Sequence, residues 1–427
     1  MTESDPMKRE VRLVLWLTCI CVALKLLFLF FFITDIRTWE DHEIAVNILN
    51  SGTAFISDSS VPNYTYQFPV HPFLLSLIYQ VCGVNPFAAV VFYIFLNGVS
   101  ALVLYLFFKK SLKQFPGIRF KQLQQILFIS ILLFEIHPGI NYYLLFNIHP
   151  FTLDLFLLSI SMLALQIFAA KNTLRNLILF SVTLGLAILD RVTFAVICVP
   201  FLFVLVKNHS AGKVIAKVFL SLVILSAIIG PWMIRNYMKD GIIGLTSGSG
   251  TFLWRGAQAN SEGSNYLADG KICFDALTNE EINRVIKMSA KEKQDFYFQK
   301  YITLLKETPG KVFRMYLIKL KNFWLFRSHF GSELPRVLKK FILPYLFSYL
   351  FVLVMVIVSI FLLRSKSFFL MSVPVLLSLA QSVFYVETRH RLVIEPVLIF
   401  LASTGCFILM NKFLFQFIRK KKSSSRV

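Results

Sequence analysis

Charged residues are scarce in this 427-residue chain, at 16% against 56% hydrophobic and 15% aromatic. With a mean hydropathy of +0.67, too little polar surface remains to coat a water-soluble fold, even at the high burial of large domains. The chain therefore reads as an all-α, polytopic integral membrane protein. Acids are the scarcer sign, 23 Asp and Glu against 44 Lys and Arg, for a formal net charge of +21. A basic excess can mark a nucleic-acid partner, but here it lies between apolar runs, where positive charge orients a membrane protein, so no nucleic acid is expected. The six cysteines (Cys19, Cys21, Cys82, Cys198, Cys273 and Cys406) are scattered, most of them in apolar runs. Their spacing fits neither a metal site nor a disulfide framework. No internal repeat is visible, which counts against transporter folds built on repeats. The first apolar run is long and lacks a small-residue cleavage site, so no removable signal peptide is expected.

Apolar runs are what the chain has in quantity. Read by length and hydropathy, they fall near Val11–Thr34, Pro86–Phe108, Leu123–Ile136, Pro150–Ala170, Leu174–Leu189, Val192–Val206, Val214–Trp232, Phe341–Leu363, Phe368–Val386 and Leu392–Met410, a bundle of about ten transmembrane helices. Lys8, Arg9 and Arg12, then Lys109, Lys110, Lys113, Arg119 and Lys121, then Lys171 and Arg175, Lys207, Lys213 and Lys217, Arg364 and Lys366, and the tail Arg419-Lys420-Lys421-Lys422 all fall on one side if the runs alternate. That side is cytoplasmic, in a cell inner (plasma) membrane with both termini inside. Two long segments then lie outside, 35–85 and 235–340. The chain divides into an N-terminal transmembrane module (1–232) carrying the first outer loop, a large outer loop (233–340), and C-terminal helices with a basic tail (341–427). Within the large loop, Asn279–Thr308 reads as a helix with an acidic start. Gly310–Phe326 alternates basic and aromatic residues as a helix in the headgroup plane would.

The short outer loops hold few basic residues: Arg37, Arg191, Arg389 and Arg391. Together with Arg235 at a membrane exit, these need a reason other than topology. Arginine forms bidentate, charge-assisted bonds to phosphate oxygens, so a lipid-linked phosphate at the interface is one reason. Snorkelling to headgroups or pairing with Asp190, Glu387 and Glu395 is the other. The first outer segment opens with Asp35 and then Glu40-Asp41-His42-Glu43, followed by Ile44, Ile48 and Leu49 at helical spacing and Gly52 as a stop. Acids at this end complement the helix dipole; alternatively one of them accepts a proton from an attacking hydroxyl. Lys25 and Asp154 lie inside apolar runs, where ionisable groups face protein or water, and they could pair with each other.

Several stretches taken together resemble a known family. The acidic cluster, the Ile44-Ala45-Val46-Asn47-Ile48-Leu49 helix ending at Gly52, and the Pro69-Val70-His71-Pro72 segment with Leu74-Leu75-Ser76-Leu77 resemble the start of bacterial polyprenyl-phosphate-sugar-dependent glycosyltransferases of the GT-C superfold. These are relatives of protein O-mannosyltransferases, lipid A aminoarabinose transferase and rhizobial core glycosyltransferases. Leu189-Asp190-Arg191-Val192-Thr193 is similar to the family's Leu-x-Arg-Pro-Thr turn, with Val192 in place of proline. Pro231-Trp232-Met233-Ile234-Arg235-Asn236-Tyr237, Ser247-Gly248-Ser249-Gly250 with Trp254-Arg255-Gly256, and Glu387-Thr388-Arg389-His390-Arg391-Leu392 resemble further family stretches in the same order; His390 and Val393 depart from the last.

The resemblance implies a GT-C-like bundle that moves a sugar from a polyprenyl phosphate to an acceptor hydroxyl on a glycan, lipid or protein, outside the membrane and with inversion. Asp41 or Glu40 is the expected base, with Asp35 as the fallback. Arg191, Arg235, Arg389 and Arg391 are expected at the donor phosphate, and His71, His149, Asp154, Trp254 and Arg255 at the acceptor or cavity. A lipid phosphate departs with its own charge, which arginines can meet, so neither a metal nor a cofactor is expected. The competing class is a transporter or flippase of lipid-linked intermediates.

Overall fold

The computed structural model describes residues 6–57, 61–112, 120–258, 261, 263–267, 271–325 and 342–424. Lys113, Arg119, Phe326, Lys340 and Phe341 lie outside the described residues. Among the described residues there are helices and isolated bridges but no strand. α1 (Pro6–Phe32) leads to α2 (Glu40–Ser51) and α3 (Val70–Cys82), and then α4 (Pro86–Leu112), α5 (Phe120–Glu135), α6 (Pro138–Phe146), α7 (Phe151–Ala170), α8 (Leu174–Asp190), α9 (Cys198–Asn208) and α10 (Ala211–Asp240) follow. Next come α11 (Ser249–Ala257), α12 (Asn279–Ile286), α13 (Ala290–Glu307) and α14 (Pro309–Trp324). The chain ends in α15 (Ile342–Leu363), α16 (Phe368–Gln381), the single turn α17 (Arg389–Leu392) and α18 (Glu395–Ser424).

Each of the ten apolar runs holds a helix, but not each helix is long enough to cross alone. Crossing about 30 Å of hydrocarbon takes about 20 residues at 1.5 Å each. Among the described residues five helices are both long and apolar enough, within α1, α4, α7, α10 and α15, and α5 with α6 makes a sixth if their 44° bend is counted as one broken span. The bend falls at His137-Pro138, where proline opens α6 and the His137 ring accepts the Ile140 N–H; a proline lacks the N–H that would continue the preceding helix. α8 has 17 residues and α16 has 14, while α9 follows a 3-10 turn at Val192–Ile197.

The outward faces are apolar: Trp16 and Phe31 on α1 and Ile215 and Phe219 on α10 are each about two-thirds exposed or more. Such stripes are at home against lipid rather than water. Inside, α4 packs on α7, α7 on α8 and α15 on α18, with the fully buried Phe108 and Phe400 stacked at 4.2 Å. Lys25 does not pair with Asp154. Its ammonium meets Glu135 at 2.5 Å and Asn97 at 2.6 Å, tying α1 to α5 and α4, because α5 rather than α7 supplies the acid at that depth. Asp154 is engaged by Arg191.

The expected helix Asn279–Thr308 is two helices. Thr278 with Glu281 caps α12, and Ser289 with Glu292 caps α13 afresh; a second capping box satisfies the free N–H groups of a new helix start, so the chain restarts there. α14 lies where the basic and aromatic stretch was expected to be helical. Its exposed stripe holds Lys311, Phe313, Arg314, Leu317 and Lys321, and its opposite face buries Met315, Lys319, Asn322 and Phe323.

By the alternation of the chain, the C-terminal ends of α1, α8, α10 and α16 and the N-terminal end of α7 lie at one end of the bundle. The site is assembled there.

Candidate active site

A cavity of about 230 Å³ opens at that end, between the start of α2, the 66–71 segment, the start of α7, the end of α8, α11 and the turn after α16. Six charged side chains reach it: Glu40, Asp41 and Asp190 against Arg191, Arg255 and Arg389.

The acids are delivered by α2. Trp39 is extended and α2 starts at Glu40, so the first turn projects Glu40 and Asp41 where the helix dipole favours negative charge. Gly52 ends α2 at φ +67°, a left-handed position that glycine adopts without strain, and its N–H closes onto the Ile48 carbonyl. Asp41 is 2% exposed and stands 3.2 Å from His71 Nδ1. On its other side the His71 Nε2 lies 2.8 Å from the Tyr93 hydroxyl, while Nδ1 makes no hydrogen bond. Asp41 and His71 are thus within ion-pair range with no hydrogen bond between them. Glu40 accepts from the Tyr66 hydroxyl at 3.3 Å. Asp35 is exposed and off the cavity: the chain turns between α1 and α2, and only the α2 end reaches inward.

The arginines divide. Arg191, the residue after α8, clasps Asp154 with two nitrogens, Nε to Oδ1 at 2.8 Å and Nη2 to Oδ2, and still lines the cavity. Arg389 pairs with Glu387 at 2.9 Å and stands 5.8 Å from the Trp39 ring. Arg255 donates to Asn265 at 3.0 Å and covers Phe274, while its Nε has no partner. Arg235 and Arg391 do not line the cavity. Arg235 holds the Tyr64 and Ala54 carbonyls of the first outer loop and lies over Trp232. Arg391 is fully buried between Glu395 at 2.6 Å, the Leu325 carbonyl and the Tyr349 ring. One helical turn separates Arg391 from Glu395, so local pairing captures the guanidinium.

His149 lines the cavity and its Nδ1 accepts the Phe151 N–H at 3.2 Å, which leaves the proton on Nε2. Burial, and then the positive charges of Arg389 and Arg191, hold its pKa well below the usual imidazole value, so the ring is a neutral donor. Asp154 stands behind Arg191 rather than in the cavity. Trp254 faces away, packed 4.9 Å from Tyr297 in the outer-loop core, because Trp254 and Arg255 are consecutive on α11 and point to different sides.

Asp190 was read in the sequence only as a partner for arginine. It is 5% exposed, its carboxyl lies against that of Asp154, and it reaches the cavity. A signal was present: an acid as the last residue of a helix opposes the dipole, which calls for another purpose. Tyr66, Gln67, Thr193, Gln381 and Tyr385 also line the cavity without having stood out from ordinary loop residues. Among the described residues no group of three or more His, Cys, Asp or Glu is placed to hold a metal ion.

The helical arrangement matches that of a solved structure. The oligosaccharyltransferase of Archaeoglobus fulgidus superposes with a TM-score of 0.53 at 11% identity, over 94% of this chain and 50% of that one. The chain has a GT-C fold. The chain spans about half the length of that oligosaccharyltransferase. ArnT from Cupriavidus metallidurans, in a structure bound to undecaprenyl phosphate, aligns at a TM-score of 0.40 and 11% identity over 91% of this chain and 77% of that one. Residues 62–234 match the family profile described as dolichyl-phosphate-mannose-protein mannosyltransferase. No curated protein matches the sequence.

Proposed function

We propose that this chain transfers a sugar from a polyprenyl-phosphate donor to an acceptor hydroxyl, on the non-cytoplasmic face of the membrane, with inversion at the anomeric carbon and without an obligatory metal. The observation that carries the proposal is one cavity in which Asp41, buried beside His71, stands with Arg191 and Arg389, three elements far apart in sequence. Asp41 takes the proton of the acceptor hydroxyl as its oxygen bonds to the anomeric carbon. The bond from that carbon to the phosphate oxygen breaks, and the electron pair leaves with the phosphate. Arg389 and Arg191 meet that charge with fixed donors, which act without reorganisation at the moment of reaction. Arg255, with its unpartnered Nε, and the Nε2–H of His149 are further donors toward sugar or phosphate. Residues 62–234, the segment that matches the mannosyltransferase profile, contribute His71, His149, Asp190 and Arg191 to the cavity.

The test is purified protein in lipid nanodiscs with radiolabelled polyprenyl-phosphate hexoses and cell-envelope acceptors. Label should pass to an acceptor, and with EDTA present the rate should hold. Label moved between leaflets with no transfer from any donor would instead support a flippase.

A further inference from the structure

The turn that carries Arg389 into the cavity is held from below by a buried lysine. Lys319, on the inner face of α14, is 3% exposed, and its Nζ donates to the Val383 carbonyl at 3.0 Å and the Phe384 carbonyl at 2.6 Å. Both carbonyls lie just past the C-terminal end of α16, where carbonyls are unpaired and the helix dipole is negative. The side chain reaches them between two glycines. At Gly263, with φ +76°, a Cβ would fall 2.2 Å from Lys319 Cγ. At Gly256 a Cβ would fall 2.1 Å from the Phe384 oxygen and 2.9 Å from Lys319 Nζ. Gly263 also accepts the Val386 N–H at 2.7 Å. The segment held in this way presents Phe384, Tyr385, Arg389 and His390 to the cavity.

We propose that Lys319 is a positioning residue for donor binding: threaded between Gly256 and Gly263, it fixes the 383–390 turn and hence the placement of Arg389. The inference rests on the cavity being the donor site. Burial alone draws the amine down to about 7, and an uncharged amine still donates to both carbonyls, so the strut persists in either protonation state.

The test uses full-length protein in nanodiscs. Lys319→Met keeps the stem and removes the donor; Lys319→Gln keeps an N–H₂ group on a shorter stem; Gly256→Ala pushes on the Phe384 carbonyl. Misplacing Arg389, which holds the donor phosphate and also meets its leaving charge, should raise the donor KM of Lys319→Met about tenfold and lower kcat by less. Lys319→Gln should fall between it and the wild type. Gly256→Ala should resemble Lys319→Met, and the double variant should add little. Hydrogen exchange supplies a readout independent of activity: amides of 383–391 should exchange faster in Lys319→Met while those of 40–51 do not. Unchanged exchange at 383–391, exchange raised evenly everywhere, or an unchanged donor KM would overturn the proposal. Should Lys319→Met fail to fold, the same comparisons on Lys319→Gln and Gly256→Ala decide it. A wild type inactive with every donor would overturn the functional reading, and the exchange pattern would then judge the strut alone.

Discussion

The base is the residue on which the chemistry turns, and burial separates the candidates. Asp41 is enclosed beside His71, Glu40 accepts from a tyrosine hydroxyl and is only half-buried, and Asp35 faces outward. Asp41→Asn should therefore lower kcat by about 10²–10⁴, the usual contribution of a positioned general base. Glu40→Gln should cost less, and Asp35→Asn should leave the rate unchanged; initial rates with labelled donor distinguish the three. The arginines separate in the same way. Arg389→Gln should weaken donor affinity by about 2 kcal/mol, the scale of one charged hydrogen bond. Arg391→Leu should instead lower thermal stability, by about 3 kcal/mol, because buried Glu395 loses its guanidinium and keeps only His137 and the Tyr345 hydroxyl. A fall in donor affinity with Arg391→Leu at unchanged stability would place the phosphate at the wrong arginine.

Between helices, buried polar contacts set the geometry that hydropathy alone leaves open. The Lys25–Glu135 pair joins α1 to α5 just before the bend at His137-Pro138. Lys25→Met should destabilise the bundle by stranding Glu135, and adding Glu135→Leu should recover most of the loss, measured as melting temperature in detergent. Lys319 gives a stability dependence with a definite sign. Its folded-state value near 7 lies below the 10.5 of an unfolded chain, so between those values the unfolded state binds more protons and stability rises with pH. The melting temperature of the wild type relative to Lys319→Met should therefore climb from pH 7 toward pH 10; a flat difference would mean that the lysine is not desolvated as described. The helices themselves were legible where local signals suffice. The acids and Gly52 bracket α2 as expected. The split of Asn279–Thr308 was missed because Ser289 and Glu292 lie inside a stretch that also suits one continuous helix.

At the scale of the whole molecule, composition and apolar runs sufficed for the class and the membrane setting, and among the described residues five helices are long and apolar enough to span. They could not supply the crossings, because short helices such as α8 and α16 satisfy hydropathy without the length to span alone. The site was legible in part. Sequence places an arginine on a loop but does not say which way it faces, so Arg191 and Arg389 reach the cavity while Arg235 holds loop carbonyls and Arg391 closes on Glu395. Asp190 escaped notice because its neighbour suggested a pair, whereas Arg191 turns to Asp154. All of the cavity's charged groups gather at one end of the bundle, where a lipid tail can stay in the bilayer while its phosphate enters a water-accessible pocket. The most direct test is a cryo-EM structure of the protein in nanodiscs with undecaprenyl phosphate. The phosphate should lie within hydrogen-bond reach of Arg191 and Arg389, with Asp41 across the cavity from it. Phosphate density outside this cavity would contradict the account.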